Sequence, residues 1–193
     1  KIIRKNLENF DPVRLAVLGM RGLEQVLIDD DLFSINKIDN GVKISTESGQ
    51  DRMFTILEEE IIMRGEAISE LKSVRDSSSK EDSTTRKVRL VKEYEIENIE
   101  KDEVLVSHFK PIKVDSGQIF CLVPLEGFSF PFKFGLDADW LLKPDRTDLH
   151  SSGKHWHQGI LNLVPKLIRR YIESMRDKIS SKDWKEFLDI FPN

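Results

Sequence analysis

The apolar residues of this chain change period once, near Asp148, and that change constrains the fold more than any other feature. Upstream, short apolar runs alternate with charged residues and are parted by turn signals. Downstream, Trp156, Ile160, Leu163, Leu167, Tyr171 and Met175 recur at three- and four-residue steps, the spacing of one helix face. Strands joined by short turns and followed by helices fold as α+β rather than as a regular βαβ array. The expectation is a mixed sheet carrying C-terminal amphipathic helices.

Local signals fill in this frame. Asp11-Pro12 opens a helix, since proline tolerates the first turn, and Val13, Val17 and Met20 continue it at helical spacing. Gln25 to Ile28 reads as a strand. Asp39-Asn40-Gly41, between Ile35/Ile38 and Val42/Ile44, is a tight-hairpin signal because Asn and Gly accept positive φ. Residues 53–63 fit helix and strand alike. Residues 73–85 are polar apart from Val74 and predict a mobile loop, since such a stretch buries too little to offset its ordering entropy. Val88, Leu90, Tyr94 and Ile96 predict a half-buried strand, residues 103–109 another, and residues 118–125 a central strand apolar on both faces. Residues 130–136 alternate again. Pro165 inside the long helical pattern must kink it or lodge at a break. Trp184, Phe187 and Leu188 predict a short closing helix. The resulting division is 1–72, an N-terminal segment; 73–85, the loop; 86–178, an α/β domain; and 179–193, a helical tail.

Composition excludes some classes of function. Lys and Arg total 30 and Asp and Glu 34, a net charge of −4, which suits neither a basic nucleic-acid arm nor an acidic tail. The longest apolar run, residues 15–20, falls far short of the roughly 20 residues that span a bilayer. Cys121 is the one cysteine, so neither an intrachain disulfide nor a multi-cysteine zinc site can form. The chain begins Lys1-Ile2-Ile3, with neither a methionine nor an apolar signal core. A piece of a longer intracellular protein, cytoplasmic or nuclear, is therefore expected.

Few residues carry chemistry. Neither GxxxxGK[ST], GxGxxG nor GxSxG occurs, so no phosphate cradle or nucleophile elbow is present. His150, His155 and His157 lie near Asp145 and Asp148, but residues two apart on a helix diverge by about 200°, and no metal site is assigned. Cys121 sits in the most apolar strand and reads as an inert small hydrophobe. Asp137 and Asp139 read as a solvated strand edge. The segment that stands apart is 137–149, where a strand runs into a Pro144 turn bearing Lys143 and Arg146. Arginine presents a planar fork of donors suited to phosphate oxygens. Taken alone, those residues favour a salt bridge from Arg146 to Asp145 or Asp148.

Three segments together resemble a known family. They are Phe120-Cys121-Leu122-Val123-Pro124-Leu125, then Ala138-Asp139-Trp140-Leu141-Leu142-Lys143-Pro144-Asp145-Arg146-Thr147-Asp148-Leu149, and then Trp156-His157-Gln158. In order and spacing they are similar to the segment following the nucleotide-binding domain in Hsp90-like (GHKL) ATPases of the sacsin and NO VEIN group. There the patterns run "FCFLPL", "ADFLLTPSRxDI" and "WNQxL"; here Asp145 replaces serine and His157 replaces asparagine. The resemblance implies a ribosomal S5-like transducer domain joined to an upstream ATP-binding domain absent from this chain. ATP and Mg2+ would be held mainly by that domain. Arg146 would be the catalytic arginine that reaches the γ-phosphate on closure, with Lys143 a further cofactor-binding candidate. The fragment alone would not be an enzyme, whereas the full-length protein would be an ATPase in chaperone-like service. Its implied partners are the upstream domain, protein clients or co-chaperones, and in some assemblies a second copy as a dimer. An alternative keeps the fold without turnover, as a protein-binding scaffold beside a degenerate ATPase domain. Nucleic-acid binding through Lys166, Arg169, Arg170 and Arg176 is disfavoured by the net charge.

Overall fold

Asn40 takes a φ of 56°, and the two-residue turn it makes with Asp39 joins Ile38 to Gly41 across a hairpin. No side chain fits at Gly41, because a Cβ there would lie 2.1 Å from the Phe54 carbonyl oxygen. The computed structural model describes residues 12–28, 31–47, 49, 51–75, 84–101, 104–114, 117–121, 123–125 and 130–191. In chain order the elements begin with helix α1 (Pro12–Met20) and strands β1 (Gln25–Ile28), β2 (Asp31–Ile38), β3 (Gly41–Thr46) and β4 (Asp51–Ile62). Helix α2 (Glu66–Val74) follows, then β5 (Thr85–Lys101), β6 (Val104–Pro111), β7 (Gln118–Cys121), β8 (Val123–Pro124) and β9 (Gly135–Ala138). Helices α3 (Lys154–Leu161) and α4 (Val164–Met175), a 3-10 turn (Ser181–Asp183) and α5 (Trp184–Leu188) close the chain.

The fold is α+β. The strands lie in one sheet in the order β1-β2-β3-β4-β5-β9-β7-β8, and β6 also pairs with β5. Pairing is antiparallel except between β7 and β9, which makes the sheet mixed. β5 organises it. One edge runs along β4 from Met53↔Tyr94 to Ile62↔Thr85, while the other pairs first with β9 and then, beyond Lys92 and Glu93, with β6.

Helices cover both faces. α1 lays Ala16 and Val17 on Ile35, Val42, Ile44, Phe54, Ile56 and Val91. On the other face Trp156, Ile160, Leu167, Tyr171 and Phe187 are fully buried against Leu90, Leu136 and Ala138. No helix among the described residues is long and apolar enough to cross a membrane.

Several sequence expectations change. Residues 53–63 are strand, because their pairing to β5 outweighs the helical spacing of Phe54, Leu57 and Ile61. Ser73 and Val74 belong to α2, whose Ala67 and Leu71 are buried, and Thr85 opens β5; residues 76–83 of the expected loop lie outside the described residues. β5 is not half-buried in its middle, where Arg89, Lys92 and Glu93 are all covered. The apolar run at 118–125 divides into β7 and β8, paired through Phe120↔Pro124. Within 130–136 only Gly135 and Leu136 are strand, and Phe130, Phe132 and Phe134 cluster ring against ring. The long helical pattern breaks at Asn162 and Leu163, and Pro165 sits in the first turn of α4, where it lacks no needed hydrogen bond.

Candidate functional site

β9 ends at Ala138 inside the sheet, and the segment that follows is pinned before it reaches the surface. Asp139 accepts from Arg75 at 2.5 Å and from Arg86 Nε at 2.8 Å. Its backbone carbonyl accepts Trp156 Nε1–H at 2.6 Å, and Arg86 lies over the Trp156 ring at 5.3 Å. Two residues earlier Asp137, fully buried, accepts from Arg89 at 2.9 Å and Arg21 at 3.1 Å. The reading of Asp137 and Asp139 as a solvated edge is therefore wrong. Arginines on β5 and directly after α1 and α2 neutralise them.

Trp140 and Leu141 are buried, and Leu142 bridges to Leu149, so residues 143–148 form a loop with a clamped base. Inside it Arg146 N–H donates to Lys143 O at 2.9 Å, a turn with Pro144 in the second position where proline fits. Asp145 accepts from the Thr147 amide and hydroxyl at 3.1 and 2.9 Å, and these two donors hold its carboxyl below the usual range. Lys143 pairs with Asp148 at 2.8 Å. That contact raises the Lys143 ammonium and, with the Leu149 amide, lowers the Asp148 carboxyl.

Arg146 stands differently. It is exposed, its φ is 58°, and among the described residues its side chain has no hydrogen bond or ion pair. Both acids that the sequence offered it bond other groups. A left-handed backbone costs a residue with a Cβ about 1–2 kcal/mol, so the loop holds Arg146 in a conformation it does not prefer. Arg146 lines a groove of about 490 Å³ together with Lys143, Arg75, Asp139, His150 and Cys121.

Residues of the family-like segments 120–125 and 138–149 line the groove, and Trp156 and His157 of the third segment bond to the second of these from behind it. Cys121 of the first lies 4.0 Å from the Trp140 carbonyl of the second. Trp156 and His157 of the third donate to Asp139 and to Leu141, the latter at 3.0 Å, and burial lowers the His157 pKa. At Gly153 a Cβ would strike the His157 ring at 2.8 Å. His155 pairs with Glu66 and Glu70, while His150 accepts from the Ser152 amide. Glu70 also caps α3, accepting the His155 and Trp156 amides across the gap from α2. Among the described residues no group of three or more His, Cys, Asp or Glu is placed to hold a metal ion. Burial, and then the Asp139 charge, push the Cys121 thiol up, away from the reactive thiolate.

Sequence reasoning missed Arg75 and Glu70. Ala67, Leu71 and Val74 stand at helical spacing, and that signal places both on or just after a helix packed beside the groove. The basic face of α4 is largely spoken for, since Lys166 and Arg170 both pair with Glu59, Arg169 with Glu173 and Arg176 with Asp177.

Comparison with protein-family models, curated proteins and solved structures finds no match for this chain.

Proposed function

We propose that the chain is the S5-like transducer segment of an Hsp90-like ATPase, and that Arg146 is its phosphate-sensing arginine. The observation that carries the reading is the state of Arg146: exposed, without a counter-ion among the described residues, and held in a left-handed turn on a loop clamped at both ends. The positive φ closes the 143–148 loop and at the same time leaves the guanidinium facing solvent with no counter-ion among the described residues, which directs attention to a ligand. The mutual packing of segments 120–125, 138–149 and 156–158 beside the groove supports the same reading.

Of the groups that such a machine handles, this chain fits the terminal phosphate of ATP. Arg146 supplies planar donors and full charge, and Lys143 is tied to Asp148, which makes it a loop-closing residue first. Adenine and Mg2+ belong to the upstream domain. Arrival of that domain's bound nucleotide at Arg146 would join the two domains, and Asp139, Trp156 and His157 would carry the displacement into the sheet and α3. Clients or co-chaperones would read the closed form, inside the cell.

The test is Arg146→Ala in the full-length protein. ATP turnover should fall about a hundredfold, the usual loss for a charged donor to a transferring group, with ATP binding and melting temperature nearly unchanged. Turnover per folded molecule equal to wild type would sink the reading. A non-enzymatic scaffold is the second reading, and Leu27, 65% exposed on edge strand β1, favours it as a place for a partner strand to pair. A full-length protein that binds no ATP and still captures its partner, with capture lost in Leu27→Lys, would favour the scaffold.

A further inference from the structure

β5 changes partner at Lys92. Its pairing with β9 ends at Val91↔Gly135, its pairing with β6 begins at Tyr94↔Pro111, and between them a cavity of about 350 Å³ opens beside β7. That volume lies at the lower end of the range that holds small organic ligands. Val13, Val91, Phe120 and Phe134 give the cavity apolar walls. Among the described residues, Arg52, Lys92 and Lys133 give it three cations against one carboxylate, Glu93.

The partners of these charges decide what is missing. Glu93 is taken by Arg52 in a two-pronged contact, at 2.5 Å from Nε and 2.8 Å from a terminal nitrogen. Lys133 pairs with Asp189 at 2.8 Å. Lys92, 5% exposed, donates to the carbonyls of Ile112 and Lys133, both at 2.9 Å, and among the described residues no carboxylate pairs with it. Buried charges are ordinarily paired, and an ammonium has three donors, of which these contacts use two. Burial lowers the Lys92 pKa to about 8, with the more distant Asp189 and Glu93 carboxylates opposing and Lys133 adding to the fall. Among the described residues, the site holds a positive charge that its lining does not balance.

We infer that this cavity binds a small carboxylate with an apolar body, its carboxylate meeting Lys92 and Lys133 and its body resting on Val91, Phe120 and Phe134. The site lies at the Gln118 end of β7, whereas the Arg146 groove lies at the Cys121 end, so neither proposal depends on the other. Apolar walls distinguish this ligand from inorganic phosphate, which gains nothing from them.

Calorimetric titration of the 193-residue chain at pH 7 with acetate, hexanoate and phenylacetate tests it, using phenylacetamide as a neutral twin and inorganic phosphate as a bare anion. Phenylacetate or hexanoate should bind at least about tenfold more tightly than phenylacetamide, acetate and phosphate, because only they use both the charge and the walls. Lys92→Met should weaken binding about tenfold or more, and Lys133→Gln on the rim by less. Should Lys92→Met fail to fold, NMR of the wild-type Lys92 side chain decides the matter. Bound phenylacetate should raise its pKa above about 8 while Glu93, Asp189, Arg52 and Lys133 stay in place. No binding by any of the acids, equal binding of acid and amide, or a Lys92 resonance unmoved by phenylacetate would each overturn the assignment.

Discussion

Arg89 and Arg146 stand close to the same strand, one opposite Asp137 on β9 and the other on the loop that leaves it. Arg89 is 8% exposed and held by two carboxylates, Asp137 at 2.9 Å and Glu58 at 2.7 Å. Arg146 is open to solvent, has no such partner among the described residues, and pays for its position in backbone strain. Identical side chains thus meet opposite rules. At Arg89 the buried charge is matched twice, since an unmatched buried charge is costly. On the loop the charge is left unmatched and the backbone is bent to present it. Arg89 holds the fold together, whereas Arg146 is held by it.

The contrast fails most visibly if the buried side of it is wrong. Asp137→Ala leaves Arg89 covered by the sheet with one carboxylate instead of two, and Arg21 loses its contact as well. Denaturant unfolding should show a loss of about 3–5 kcal/mol, as for breaking a buried pair from one side. A loss below about 1 kcal/mol would mean that Arg89 relaxes to water and that the two arginines differ less than their surroundings indicate.

Packing on the helix face comes next. Leu167 is fully buried under α4, while Leu163 sits at the break between α3 and α4 and is only partly covered. Leu167→Ala should destabilise by about 2–5 kcal/mol and Leu163→Ala by clearly less, because a partly exposed site loses less transfer energy and leaves less of a cavity. Equal losses at the two positions would show that the break is itself packed.

A third charge, Lys92, lies between the two arginines in character: buried like Arg89 and, among the described residues, unpaired with a carboxylate like Arg146. Burial brings its pKa to about 8 from the ordinary 10.5. Below pH 8 both folded and unfolded chains carry the proton, so this group adds no slope. Between pH 8 and 10.5 the folded chain has released it and the unfolded chain has not, so the unfolded state binds more protons and stability rises with pH. From pH 8 to 9.5 the unfolding free energy of the wild type should gain about 1.5 kcal/mol relative to that of Lys92→Met. Tyr94, Tyr171 and Cys121, all pushed upward by burial, act in the opposite direction, and taking the difference from Lys92→Met cancels them because both chains carry them. No gain over Lys92→Met in this window would place a counter-ion beside Lys92 and remove the basis of the cavity assignment.

How legible was all this in the sequence? Local chemistry was: the Asn40 turn, strand 25–28, the helix entry at Pro12 and the break at Pro165 follow from single residues with few conformations open to them. Long-range pairing was not. Arg89, Lys92, Glu93 and Asp137 are polar residues that any periodicity argument sends to solvent, and they are covered because strands distant in sequence close over them. The groove was half legible. Arg146 and Lys143 stood out by their turn, but that Lys143 is spent on Asp148, that Asp145 bonds Thr147, and that Arg75 arrives from α2 depend on geometry that spacing does not contain.

The smallest effect sharpens the comparison most. Arg146→Gly removes the guanidinium and also the Cβ that makes a φ of 58° unfavourable. Relief of that strain is opposed by the greater freedom glycine gives the unfolded chain, about 0.5–1 kcal/mol, so the net gain in stability should be at most about 1 kcal/mol. Arg146→Ala keeps the strain, loses the charge, and should leave stability within about 0.5 kcal/mol of wild type, as surface changes do. Paired melting curves of the two variants therefore isolate the backbone term from the side-chain term. If Gly exceeds Ala in stability while both depress full-length turnover alike, strain and charge are separable, and the loop holds Arg146 against its backbone preference for the sake of the guanidinium. If Gly and Ala are both destabilising by more than about 1 kcal/mol, the guanidinium has a structural partner, and Arg146 belongs with Arg89 after all.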